Sequence, residues 1–325
     1  MRAVKFDQPG DAEVLYLAQV PDLVAEVGEL LVRVRATAVN RADILQRRGF
    51  YPPPPGASDI LGLEMAGEVV SIGGGVMGWQ VGDRVCALLP GGGYAEQVVL
   101  PAEMALRLPE KMTFEQAAAF PEVFFTVYDN LFNWGRLNSG ETVLIHGGGS
   151  GIGTAAIQLA RWRGAEVIVT AGSAEKIAHC VTLGANVGIN YRSEDWPARV
   201  RELTDDRGVD VILDIIGGSY LGPNLASLAI EGRLIVIATM GGATAQLDLR
   251  TLMAKRLTIA GTTLRARPLA AKIALTRQIE QAVLPALANG TLRPIIHQVF
   301  DLAEAASAHR LMESSDHFGK IVLRV

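Results

Sequence analysis

The residues with the plainest chemical capacity form a glycine-rich turn. Gly147, Gly148, Gly149, Gly151 and Gly153 surround Ser150 in the stretch GGGSGIG. Residues without side chains let backbone amides approach a bound group, and a turn entering a helix offers N–H groups and positive partial charge to an anion. Both flanks are present. Val143, Leu144 and Ile145 make a short apolar β run before the turn. Ala155, Ala156, Leu159 and Ala160 then recur at helical spacing up to Gly164, and Val167, Ile168 and Val169 make the next strand. Strand, turn, helix and strand in this order open a dinucleotide-binding βαβ unit, with Ser150, Gly151 and Ile152 offering amides to the pyrophosphate. The strict GxGxxG spelling is absent. The turn reads Gly147-x-x-Ser150-x-x-Gly153, so the assignment rests on the flanking elements, because glycines alone also suit a plain tight turn.

The end of the second strand selects the nucleotide. A site for free ribose hydroxyls ordinarily carries Asp or Glu there, about 20 residues after the turn. This chain reads Thr170-Ala171-Gly172-Ser173 with Lys176 one helical turn on, and the nearest acid, Glu175, lies inside the helix. Gly172 leaves room, Ser173 can donate a hydrogen bond and Lys176 can face a 2′-phosphate, which favours NADPH over NADH. Ser173 also suits a helix N-cap and Lys176 a solvated helix position; capping does not exclude phosphate binding.

These residues need a frame to position them. The chain has 325 residues, enough for two domains. Hydrophobic residues make up 49% and mean hydropathy is +0.25. No run of about 18 apolar residues is free of charge, Gly or Pro, so no membrane span is expected; the apolar richness suits a parallel sheet buried on both faces. A net charge of −4 with interspersed signs argues against a nucleic-acid surface. The N-terminus, MRAVKFDQPG, has no signal-like apolar core and reads as a first strand. Cys86 and Cys180, the only cysteines, support neither a disulfide framework nor a four-cysteine zinc site, and a reducing, cytoplasmic setting is expected.

Residues 1–120 hold short β runs at 30–36, 66–72, 84–88 and 96–100 between Gly/Pro turns, predicting a compact, mainly β domain. Residues 121–262 alternate strand and helix, with strands at 142–146, 166–170, 186–190, 209–215, 233–238 and 257–261 and helices such as 174–183 and 195–204. That pattern predicts an α/β fold with a six-stranded, doubly wound parallel sheet. Residues 263–325 predict one long helix over 269–288 and strands near 295–300 and 321–325, returning to the first domain. The nucleotide domain is thus an insertion, and a cleft between domains is the expected active site. Tyr51 precedes the stiff run of prolines at 52–55. Its ring could stack on a flat substrate and its hydroxyl could hydrogen-bond one, or it could be an exposed loop aromatic.

The motifs NRADILQRRGFYPPPPGASDILGLEMAGEV, GWQVGDRVCALLPGGGYAE, FPEVFFTVYDNL, GSGIGTAAIQLA, LGANVGINYRSEDW, ILDIIGGSY and FGKIVL run from end to end. With them the chain resembles the medium-chain dehydrogenase/reductase superfamily, in the zinc-free quinone oxidoreductase branch that includes zeta-crystallin. The first two stretches are most similar to the tumour-suppressor-induced type of NADPH quinone oxidoreductase. The resemblance implies a Rossmann domain inserted into a GroES-like catalytic domain. Zinc alcohol dehydrogenases of this superfamily carry an early catalytic Cys and a Gly-His-Glu triplet; here those places hold Asn40 and Gly62-Leu63-Glu64. Zinc needs three or four N, S or O donors, so no metal is expected. The five histidines, His146, His179, His297, His309 and His317, have no ligand spacing and read as surface residues or supports for other groups.

Hydride transfer to a quinone or enone needs orientation and a hydrogen bond to the developing oxyanion rather than a metal. The resemblance implies that Asn40 lies beside the nicotinamide and can donate that bond; Asn40 equally suits a cap for the helix starting at Arg41. Asp43 reads as structural, pairing with an Arg or a backbone amide, and Glu64 as a buried hydrogen-bond partner. By the same resemblance the Thr126 hydroxyl approaches the nicotinamide, and Tyr191 lies near the adenosine phosphate. Met240 and Gly241 follow the fifth strand, and Leu264 and Arg265 the sixth, where the nicotinamide end passes. Arg265 could instead form a surface ion pair. The reading that results is NADPH-dependent reduction of small planar quinones, with solvent or Tyr51 supplying the proton. The alternatives are an NADPH-dependent alkenal or enone double-bond reductase, and a low-turnover NADPH-binding sensor or structural protein. A homodimer through the edge strand of the nucleotide domain is expected.

Overall fold

The computed structural model describes all 325 residues. They form two compact units, one of Met1–Phe125 with Leu264–Val325 and one of Thr126–Thr263. The first division falls five residues beyond the expected 120/121 boundary, inside the helix Pro121–Tyr128. The start of that helix is tied to the first unit, because the Glu122 N–H donates to Glu64 Oε2 at 2.8 Å.

The unit Thr126–Thr263 is the doubly wound part. Its strands are, in sequence, Thr142–His146, Glu166–Ala171, Val187–Asn190, Val209–Asp214, Leu228–Val236 and Thr258–Gly261. Their spatial order is third, second, first, fourth, fifth, sixth, and every pairing is parallel. The order reverses between Thr142–His146 and Val209–Asp214, and in such sheets ligands bind beyond the carboxyl ends of the strands at that point. Thr142–His146 is buried along its whole length, as a central parallel strand must be. The fifth strand starts at Leu228, before the expected residue 233, because Glu231 takes φ +62 and lets the chain pair on both sides of an irregularity.

The other unit is built on a mainly antiparallel sheet. Its order is Ile296–Asp301, Lys320–Arg324, Glu29–Val39, Glu64–Ile72, Arg84–Leu88, Leu106–Arg107, and Gln97–Pro101 also pairs with Glu29–Val39. Only Ile296–Asp301 and Lys320–Arg324 run parallel, joined through the helix Ala305–Ser314. Val4, Val39, Ile44, Leu61, Tyr94, Ile321 and Leu323 share one core beneath this sheet. The expected long helix over 269–288 is two helices, Leu269–Ala282 and Leu284–Ala288. Pro285 has no N–H to continue the ladder and breaks it. No helix is long and apolar enough to cross a membrane.

Candidate functional site

The glycine turn has the geometry of a cradle. Gly147 takes φ +73. A Cβ on Gly148 would lie 2.9 Å from Cys180 Sγ, and one on Gly153 would lie 2.3 Å from the Gly147 oxygen. Side chains are thus excluded from the turn by packing against the sheet and by the helix entering close to it. Ser150 caps the helix Gly151–Trp162: its hydroxyl accepts from the Gly153 N–H at 3.0 Å and donates to the Gly147 oxygen at 2.8 Å. The first-turn N–H groups of Gly151 and Ile152 have no intrahelical acceptor and remain for an anion.

At the end of the second strand, Ser173 caps the helix Ala174–Leu183 by accepting from the Lys176 N–H at 3.3 Å. A Cβ on Gly172 would meet the Tyr191 hydroxyl at 2.7 Å and Arg192 Nε at 3.2 Å. Gly172, Ser173, Lys176, Tyr191 and Arg192 therefore gather around one strand end with no carboxylate among them. The pocket they make fits a nucleotide bearing a 2′-phosphate. Arg192 escaped the sequence reading, because one exposed arginine after a strand carries no signal until the fold turns it over Gly172.

Beyond the fourth and fifth strands, two loops lace together. Gly241 N–H donates to the Ile216 oxygen at 2.7 Å, Met240 N–H to the Ile215 oxygen at 3.3 Å and Gly218 N–H to the Gly242 oxygen at 2.8 Å. Asp214 holds their base by accepting from the Ile216 and Gly217 N–H groups. Asn224 Nδ2 also donates to Asp214 at 3.0 Å, so Asn224 Oδ1 faces His146 Nε2 at 2.8 Å. His146 therefore carries its proton on Nε2, and Nδ1 accepts from the Thr170 hydroxyl at 3.0 Å. Burial pushes His146 down to about 4, so it stays neutral and links the ends of three strands. This overturns its reading as a surface residue.

The other unit contains a buried ion pair. Lys320 Nζ lies 2.7 Å from Glu64 Oε1, and both side chains are almost wholly shielded, at 3% and 0% exposure. Asn40 bridges them: its Oδ1 accepts from Lys320 at 2.6 Å and its Nδ2 donates to Glu64 at 2.8 Å and to the Ala38 oxygen at 3.3 Å. Both amide hydrogens are thus in use, and Asn40 holds a charge pair in place. The cap of the helix Arg41–Arg47 falls to Asp43, whose carboxylate accepts from the N–H groups of Asn40 at 2.8 Å and Gly62 at 3.0 Å. Burial raises Asp43 to about 6 against these bonds. Beneath it, Tyr94 meets His309 at 3.1 Å, and His309 meets Arg47 at 3.2 Å. Burial, aided by Arg47, holds His309 down at about 3, so it too is a neutral internal support.

Arg265 is buried and makes no ion pair. Its guanidinium donates to the Pro90 oxygen at 2.7 Å, to Gln46 Oε1 at 2.7 Å and to the Tyr51 oxygen at 3.4 Å, and sits 5.3 Å from the centre of the Tyr51 ring. The surface-pair reading is corrected, since the donors of Arg265 are committed to holding the loop that carries Tyr51. Burial and then the charge of Glu122 push the Tyr51 hydroxyl up, while Arg265 pulls it down. Leu264 is half-buried beside Arg265. Thr126 is half-buried in the helix Pro121–Tyr128, and its carbonyl accepts from Asn130 at 2.8 Å.

Alcohol dehydrogenase GroES-like domains match residues 26–110, and zinc-binding dehydrogenase domains match residues 151–280. The quinone oxidoreductase of Rattus norvegicus is 32% identical over 326 residues, 99% of this chain and 97% of that protein. The chain belongs to the quinone oxidoreductases of the medium-chain dehydrogenase/reductase superfamily. Among solved structures, the Escherichia coli quinone oxidoreductase complexed with NADPH superposes with a TM-score of 0.91 at 29% identity, over 100% of both chains. The JamJ enoyl reductase, in its apo form, gives 0.89 at 29%, over 99% of this chain and 98% of that one. The chain also matches Mycobacterium tuberculosis polyketide synthase subunits at 35% identity, spanning 15% of their length. An oxidoreductase that uses a nicotinamide cofactor follows from membership.

Within that family frame, the place where zinc enzymes bind their metal carries Asn40, Leu63 and Glu64, with the Lys320 ammonium neutralising the carboxylate. No group of three or more His, Cys, Asp or Glu is arranged to hold a metal ion. Lys320 and Glu122 were not singled out from the sequence. A lysine opening the apolar strand KIVLR was the available signal, since a buried ammonium requires a partner.

Proposed function

We propose that this protein is a cytoplasmic, NADPH-dependent, metal-free reductase of small planar quinones. The observation that carries the reading is the strand end at Gly172, where Ser173, Lys176, Tyr191 and Arg192 meet without a carboxylate. Ser150, Gly151 and Ile152 would hold the pyrophosphate, and Ser173, Lys176, Tyr191 and Arg192 the 2′-phosphate. Thr126, Met240, Gly241 and Leu264 would border the nicotinamide. Bound NADPH would supply the hydride. Asn40 fixes the Glu64–Lys320 pair, Arg265 sets the Tyr51 ring, and Tyr51 offers a flat face and a hydroxyl to the acceptor.

The test is NADPH oxidation, with NADH in parallel and EDTA throughout, against naphthoquinones, benzoquinones and medium-chain enones. Quinone turnover that prefers NADPH supports the reading. Turnover with enones alone moves the protein to the double-bond reductases, a reading favoured by the likeness to the JamJ enoyl reductase. Tight NADPH binding with no turnover leaves a sensor or structural role. Lys176→Glu should raise the Kd of NADPH at least tenfold more than that of NADH, because it sets a carboxylate against the 2′-phosphate. Equal losses for both would mean that the phosphate lies elsewhere.

A further inference from the structure

Hydride addition to a carbonyl leaves an oxyanion that must take a proton. One acid of the first unit has no structural employment. Glu122 is the second residue of the helix Pro121–Tyr128, and its N–H donates to Glu64 Oε2 at 2.8 Å, which fixes its backbone beside the ion pair. Its own carboxyl accepts no hydrogen bond and has no ion-pair partner, and the residue keeps partial exposure. The groups facing it are Glu64 on its strand, Asp43 on the helix Arg41–Arg47, Lys320 on the last strand, Arg265, and Tyr51. Neither cation is free to neutralise it: Lys320 is bound to Glu64 and Asn40, and Arg265 to Pro90, Gln46 and Tyr51.

We propose that Glu122 is the general acid that protonates the reduced acceptor, next to the Tyr51 ring that orients it. This rests on the reductase reading above. As the acceptor carbonyl receives the hydride, the O–H bond of Glu122 breaks and a new O–H bond forms on the acceptor oxygen. Glu122 is left as a carboxylate and takes a proton back from water. The sum is NADPH, a proton and a quinone giving NADP⁺ and a hydroquinone. Burial first, and then the charges of Glu64 and Asp43, push Glu122 up to about 8 against the pull of Lys320 and Arg265. The acid is therefore loaded at neutral pH, close to the working value that suits proton transfer.

Two measurements test this. Infrared difference spectra of the cofactor-free protein, titrated from about pH 6 to 10, should show a protonated carboxyl band that disappears near pH 8 and is missing in Glu122→Gln. Steady-state rates should fall as pH rises through the same value. Glu122→Gln keeps the side-chain shape and the N–H bond to Glu64; it should lose about 100-fold in kcat and the alkaline limb, with NADPH affinity unchanged. Glu122→Asp, which withdraws the acid by one methylene, should be slower but keep the limb, and Tyr51→Phe should keep it too. Wild-type kcat and an intact limb in Glu122→Gln would overturn the proposal, as would the absence of the infrared band. A wild-type protein that bears the band yet reduces no acceptor would show that the reductase reading had failed, and the donor role with it.

Discussion

Lys320 and Glu64 form a pair whose value lies in each neutralising the other. Removing one partner of a buried pair leaves an uncompensated charge and costs about 3–5 kcal/mol. Lys320→Met should lower stability by that order in denaturant titrations, and adding Glu64→Gln should recover much of the loss. A loss under about 1 kcal/mol, typical of an exposed pair, would show that water reaches Glu64. Glu122 gives the opposite pH signature to an ion-paired acid. Folding raises it from its ordinary value of 4.5 to about 8, so between those values the folded protein holds a proton that the unfolded chain has released. Stability must fall as pH rises across that window. Glu122→Gln carries no such cost, so its advantage over wild type should grow from pH 5 to 8 and level off above, reaching roughly 2 kcal/mol after allowance for partial exposure. Asp43 has the same sign, raised to about 6, but is common to both proteins and cancels. Melting curves at several pH values decide it, and a constant difference would place Glu122 at an ordinary pKa. Glu64 was legible as a buried partner from its motif. Glu122 was not, because an acid in the first turn of a helix ordinarily serves the helix dipole and nothing in its spacing reveals that it faces Glu64 and Tyr51. Asn40 was half legible: its place was right, but only the fold discloses that Lys320 and Glu64 use up its amide.

Strands and helices were read more surely than side chains. The central parallel strands stand out as apolar runs, and the expected limits of Thr142–His146 hold to the residue. The errors fall where local geometry overrides pattern: Pro285 splits a helix whose apolar spacing runs on through it, and Glu231 lengthens the fifth strand by entering a left-handed conformation. The same distinction separates two helical glycines. Gly153 has no room, since a Cβ would sit 2.3 Å from the Gly147 oxygen, whereas a Cβ on Gly222 would meet nothing within 4 Å. Neither has a left-handed φ. Gly153→Ala must push the helix away from the turn and should weaken NADPH binding at least tenfold, together with stability. Gly222→Ala should leave affinity unchanged and raise stability by up to about 1 kcal/mol, the helix preference of alanine over glycine. Calorimetric binding and melting of both variants would test this. Unimpaired binding by Gly153→Ala would show that the cradle can yield.

At the scale of the molecule, the six-stranded sheet has two edges of different character. Val187–Asn190 is largely covered, with Ile189 buried. Thr258–Gly261 is exposed along most of its length, and Leu249 and Met253 in the helix just before it are 58% and 68% exposed. An open strand edge is a template for another chain unless charge or proline blunts it, and TIAG carries neither. A second copy related by a twofold axis would continue the sheet and present the same patch to itself. A strand of four residues supplies few hydrogen bonds, so the neighbouring apolar side chains must provide most of the association energy. The protein should therefore be a dimer at micromolar concentration by light scattering. Ile259→Lys places a charge on the strand, opposite its own copy in the partner, while the residue keeps its partner Leu234 within the chain. It should yield a folded monomer that still binds NADPH, since the nucleotide residues lie at the carboxyl ends of other strands. A wild-type monomer would remove the edge-strand dimer, and an Ile259→Lys dimer would move the interface to another face.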